Sequence, residues 1–143
     1  MLATFFSRFE SDRIVQAIAA AEEKSSAEIR VHVTRRVPKD LEERALRRFH
    51  RLGMANTAAR NGVLIYIAPR ARRFRILGDA AIHEKGGDAL WKDVASALEE
   101  RFRRGEFTEG IVQAVERLGA VLAEHFPRGQ DDKNELGDEV TED

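Results

Sequence analysis

Residues 63–68 are apolar without a break, Val-Leu-Ile-Tyr-Ile-Ala, opened by Asn61-Gly62 and closed by Pro69. A run of this length between turn residues predicts a strand covered on both faces. The next stretch alternates Phe74 and Ile76 with Arg73 and Arg75, which predicts a second strand over 72–77 with one wetter side. The short gap between them makes an antiparallel hairpin, ended by Gly78 and Asp79. Upstream, Ile29, Val31 and Val33 alternate with Glu28, Arg30 and His32, so a further strand is predicted over 27–34.

Helical spacing accounts for most of the remaining apolar positions. Ser7 and Glu10 have the form of a capping box ahead of Ile14, Val15, Ile18, Ala19 and Ala21. That helix is expected to end near Ser25-Ser26, with Phe5, Phe6 and Phe9 packing as a staple. Pro38, Asp40 and Glu43 mark the start of a second helix. It is expected to carry Leu41, Ala45, Leu46, Phe49 and Leu52 inward and Arg44, Arg47, Arg48 and Arg51 outward. Asp88 can cap a third helix, with Leu90, Trp91, Val94, Leu98 and Phe102 on its buried side and Gly105 at its end. A last helix starts at Thr108 and buries Ile111, Val115, Leu118, Leu122 and Phe126. Strand, helix, strand implies a right-handed parallel crossover. The fold class is therefore α/β: a small mixed sheet, parallel β-α-β plus an antiparallel hairpin, with helices on both faces.

With 143 residues the chain suits one domain with a real core. The absence of cysteine excludes disulfides, thiolate catalysis and cysteine metal sites. The opening residues lack the pattern of a secretion signal, and no run reaches the roughly 18 apolar residues of a bilayer span; a cytoplasmic location is the expectation. Charge is uneven. Residues 127–143 hold seven acids against Arg128 and Lys133, a balance of −5, and leave a body of +4 with 22 basic and 18 acidic residues. This predicts one domain over 1–127 and an acidic, disordered tail over 128–143.

The predicted topology brings distant polar residues to one end of the sheet: Glu23, Ser26, Glu28, Asn61, Asp79, His83, Glu84 and Asp88. Carboxylates, amides and backbone carbonyls are what Ca2+ and Mg2+ take as ligands. Glu28, Asn61, Asp79, Glu84 and Asp88 are thus candidate ligands of a weak divalent-cation site. The alternative is that Asp88 is a helix cap, Asn61 a turn residue and Glu28 a solvated strand residue. The other end is cationic, with Arg70, Arg72, Arg73 and Arg75 on the hairpin and Arg35 and Arg36 nearby. Arginine forks suit an anionic partner, or the charges are met by Glu42, Glu43 or the acidic tail. Nucleic acid is disfavoured as that partner, because the body charge is modest and no aromatics interleave the arginines. No Gly-x-Ser-x-Gly elbow, phosphate-cradling glycine loop or paired zinc histidines occur.

Three stretches, Glu22-Glu-Lys-Ser-Ser-Ala-Glu-Ile-Arg-Val-His-Val, Phe49-His-Arg-Leu-Gly-Met and Asn61-Gly-Val-Leu-Ile-Tyr-Ile-Ala, resemble the TPM domain family in sequence and order. Gly-Glu-Phe-Thr-Glu-Gly-Ile from residue 105 resembles the stretch before that family's last helix. The resemblance covers residues 7–126 and implies a three-layer α/β/α sandwich. The family includes thylakoid-lumen proteins of photosystem II repair, for which an acid phosphatase activity has been proposed, and members that bind calcium or magnesium. Glu28, Asn61, Gly78 and Asp88 match the family pattern. Arg60 stands where many members have Asp, and Asp79 and Ala80 replace an aromatic residue and a second glycine. The resulting expectation is a stand-alone soluble module that acts by binding, with a weak Ca2+ or Mg2+ site. The alternatives are a metal-assisted phosphomonoester hydrolase, in which Arg60 steadies the phosphate, and a pure interaction module.

Overall fold

A computed structural model describes residues 8–128 and 140–143, with the side chains of 8–9 and 85–90 outside the description. Phe5, Phe6 and Ser7 therefore lie outside the described residues, as do the side chains of Phe9, Asp88 and Leu90. The elements are α1 (Arg8–Glu23), β1 (Glu28–Val33), α2 (Leu41–Arg51), β2 (Gly62–Ala68), β3 (Arg73–Gly78), α3 (Ala80–Arg103), α4 (Phe107–His125) and β4 (Val140–Glu142). Short 3-10 turns occupy Met54–Asn56 and Pro69–Ala71.

The uninterrupted apolar run becomes the central strand β2, and all seven of its residues are buried. The strand order is β3-β2-β1-β4. β1 lies parallel to β2, with Val31 opposite Ile65, and β3 returns antiparallel, with Ile76 opposite Ile65. Period-two side-chain alternation divides the core into two layers. On one side Val31, Val63, Ile65 and Ile67 meet Ile14 and Ile18 of α1, Val94 and Leu98 of α3 and Ile111, Val115 and Leu118 of α4. On the other, Leu64, Tyr66 and Ala68 meet Leu41, Ala45 and Phe49 of α2, with Met54 of the following turn. This is the expected α/β/α arrangement around a mixed sheet. No helix among the described residues is long and apolar enough to cross a membrane.

Four local expectations need correction. Asp88 does not cap α3; it lies inside a helix that already starts at Ala80, capped by Asp79, whose side chain accepts the Ala80 N–H. The acidic segment 128–143 is not unstructured throughout, because its end forms β4, parallel to β1. The polar face of β1 is not solvated: Glu28, Arg30 and His32 are buried, since β1 is an interior strand between β2 and β4. Leu46 is 49 % exposed rather than inward. Leu41, Ala45 and Phe49, four residues apart, define the buried stripe of α2, and Leu46 sits one residue, about 100°, further round.

Two turns enclose β2. Arg60 before it and Arg72 after it both adopt left-handed backbone, φ 53° and 54°.

Candidate functional site

The hairpin does double back, so the expected end of the sheet assembles. The Asp79 N–H donates to the Gly62 carbonyl at 2.9 Å, and the Ala81 N–H to the Arg60 carbonyl at 3.1 Å. Asn61 Nδ2 donates to Ser26 Oγ at 3.1 Å, tying the start of β2 to the start of β1. Glu28 stands opposite Gly62 in the register.

Shared location does not make these residues a coordination shell. Asp79 is already bound: Arg60 Nε and Nη2 donate to its two carboxylate oxygens at 2.6 and 2.9 Å, and the Ala80 N–H donates at 2.8 Å. Burial pushes this carboxyl up, but those hydrogen bonds and the Arg60 charge outweigh it and hold it below the usual carboxylate range. Asp79 follows β3 and Glu28 opens β1, two strand spacings apart or roughly 10 Å. Glu84 is exposed on α3, and the Asp88 side chain lies outside the described residues. Among the described residues no three His, Cys, Asp or Glu side chains are placed to hold a metal. Glu28 and Asn61 are both buried, and Asn61 Oδ1 has no hydrogen-bond partner among the described residues. Glu22 of α1, rather than the neighbouring Glu23, joins this corner by accepting the Ile29 N–H at 2.8 Å.

The cationic end is also assembled. Arg70, Arg72, Arg73 and Arg75 are exposed, and Arg75 pairs with Glu42 of α2 at 3.2 Å. β3 is one of the two outer strands of the sheet among the described residues. Along it runs an open groove of about 670 Å3, bordered by Arg72, Arg73, Arg75, Trp91, His83 and Glu99. Trp91, expected in the core, is half-buried, lines this groove, and carries an indole N–H with no acceptor among the described residues.

A third polar constellation was not anticipated. His32, wholly buried on β1, stacks on Tyr66 of β2 with ring centroids 5.4 Å apart. Its Nδ1 lies 2.6 Å from Thr141 Oγ1 of β4, and its Nε2 lies 3.2 Å from Asp143 Oδ1. Burial pushes the imidazole below its ordinary value against the opposing pull of Asp143. Arg48 Nη2 donates to Asp143 Oδ2 at 2.6 Å. The signal for this cluster was present in the alternation that puts His32 on the polar side of β1. The missing step was the contact from residues 140–143.

A family model described as the TPM domain matches residues 2–121. The NMR structure of BA42 protein from the psychrophilic bacterium Bizionia argentinensis is similar at 38 % identity, with a TM-score of 0.91, over 97 % of this chain and 96 % of that one. The solution structure of the N-terminal domain of cg2496 protein from Corynebacterium glutamicum shares the fold, with a TM-score of 0.59 at 16 % identity, over 96 % of this chain and 81 % of that one. No curated protein matches the chain.

Proposed function

This chain belongs to the TPM domain family, and on that premise we propose that it works by binding, meeting an acidic, extended segment of a partner protein along β3. The groove beside that outer strand carries the reading. An outer strand presents unpaired N–H and C=O groups that can accept another strand. Here Arg72 and Arg73 also border the groove, and neither forms an ion pair among the described residues. An acidic strand laid along β3 would place its carboxylates on these forks, which is the geometry guanidinium recognises.

Trp91 is the one tryptophan of the chain and lines the groove, so it reports binding directly. Adding polyglutamate is expected to shift its fluorescence. Charge reversal by Arg72→Glu with Arg73→Glu is expected to weaken that response at least tenfold, about 1.4 kcal/mol. An unchanged titration curve for the double variant would remove the reading.

A second reading is a weak Ca2+ or Mg2+ site at the Glu28–Asn61 corner, favoured by the buried Asn61 Oδ1, which has no partner among the described residues. Magnesium keeps several waters and needs only one or two protein oxygens. Amide-resonance titration with either ion at millimolar concentration is expected to move Asn61, Gly62 and Ile29. Spectra that stay still there would end it. Phosphomonoester hydrolysis ranks behind both, because Asp79 is engaged by Arg60 and the Ala80 N–H rather than open to a metal.

A further inference from the structure

We propose that the arginine face of α2, beside the His32–Tyr66 stack, is a binding site for the phosphate group of a small anion, and that Asp143 competes for it from within the chain. Arg44, Arg47, Arg48 and Arg51 line a cavity of about 190 Å3 together with Tyr66 and Asp143. Their spacing of i, i+3, i+4 and i+7 puts all four guanidinium groups on one stripe of one helix. Like charges so spaced repel one another by a few tenths of a kcal/mol per pair. Only Arg48 and Arg51 lie in the last turn of α2, where the helix carbonyl end offsets part of that repulsion. A stripe of this kind is stabilised by a counter-anion.

The charge count names the anion. Arg47 pairs with Glu43 at 2.5 Å and Arg48 with Asp143 at 2.6 Å. Arg44 and Arg51 form no ion pair among the described residues. Two uncompensated charges beside a small cavity match a dianion better than one more carboxylate. Several guanidinium forks suit the oxygens of phosphate. The small cavity favours a free phosphate or a small phosphomonoester over a polymer.

Asp143 already shows how an oxyanion is received. One of its oxygens accepts a single N–H of Arg48 and the other faces His32. Its backbone N–H donates to the Val33 carbonyl at 3.0 Å, and its carbonyl accepts the Arg35 N–H at 3.1 Å. The segment is held by β4, a strand of three residues. Pairing this short is weak alone, so the carboxylate contacts matter to its docking, and a phosphate on the same arginines works against them. This site is separate from the β3 groove, and either can fail without the other.

The test titrates inorganic phosphate, and separately glycerol phosphate, into the full chain by calorimetry and by arginine side-chain resonances. Both probes are expected to perturb Arg44, Arg48 and Arg51, and tighter binding of glycerol phosphate would identify the phosphomonoester as the ligand. Asp143→Asn keeps the shape, removes the competing charge, and is expected to tighten phosphate binding about tenfold. Arg44→Gln with Arg51→Gln leaves the contacts of β4 in place and is expected to abolish it. Phosphate binding by Asp143→Asn alone, with none by the natural chain, also supports competition. No binding by either, affinity unchanged in Asp143→Asn, or affinity unchanged in the double glutamine variant overturns the proposal.

Discussion

Gly62→Ala is expected to destabilise the fold by about 2–3 kcal/mol, read as a fall in the urea midpoint with little change of slope. The loss comes from a backbone approach. A Cβ at residue 62 would lie 2.6 Å from the Met54 carbonyl oxygen and 3.3 Å from its carbonyl carbon. The obstructing atoms are main chain, in the 3-10 turn Met54–Asn56 that covers the start of β2, so no rotamer change can relieve the clash. Either the turn moves off the sheet or β2 shifts against β1. Glu28 stands opposite Gly62, and the Gly62 carbonyl accepts the Asp79 N–H. The strain therefore spreads into both neighbouring strands. A midpoint unchanged from the natural chain would show that the turn does not rest on Gly62.

Ile65→Ala is expected to cost about 3 kcal/mol, within the 2–5 kcal/mol range of large-to-small changes in a packed core. Ile65 is wholly buried at the middle of β2, between Val31 and Ile76. It faces the larger core layer under α1, α3 and α4. Neighbours held by two flanking strands cannot close the vacated space, so the variant loses the transfer free energy and retains a cavity. Leu46→Ala is the internal comparison, because Leu46 is half exposed and carries a similar volume. Equal losses for the two changes would contradict the layer assignment.

Much of this architecture was legible because its signals are local. The apolar run of β2, the alternation of Phe74 and Ile76, and the crossover through α2 each rest on periodicity within one segment. Those were enough to bring residues 28, 61 and 79 to one end. The start of α3 was not legible. Gly86-Gly87-Asp88 has the composition of a turn and cap, and each glycine costs a helix interior about 1 kcal/mol. The helix persists because Ile82 on one side and Val94 and Leu98 on the other are anchored in the core, an effect of packing rather than of local preference.

The acidic segment misled for a related reason. Its charge argues against a core of its own, yet Thr141 and Asp143 meet His32 and Arg48, more than ninety residues away in sequence. In the same way Arg60 and Asp79 were each recognisable as functional candidates, but for opposite roles. Only their bidentate pairing shows that they first satisfy one another. The stripe of arginines on α2 is visible in the sequence as spacing, but only as the outward face of a helix. The cavity beside Tyr66 gives it another use.

The backbone at Arg60 and Arg72 bears on any attempt to harden this protein. Left-handed turns are where glycine or asparagine substitutions are the standard stabilising choice, and a non-glycine residue there gives up about 1 kcal/mol or more. At residue 60 the exchange would release the bidentate partner of a helix cap, and at residue 72 it would remove a charge from the rim of the β3 groove. A consensus-style redesign would thus relieve backbone strain at both turns, but at residue 60 it would loosen the start of a helix and at residue 72 it would weaken recognition, a trade between durability and use confined to a pair of turns.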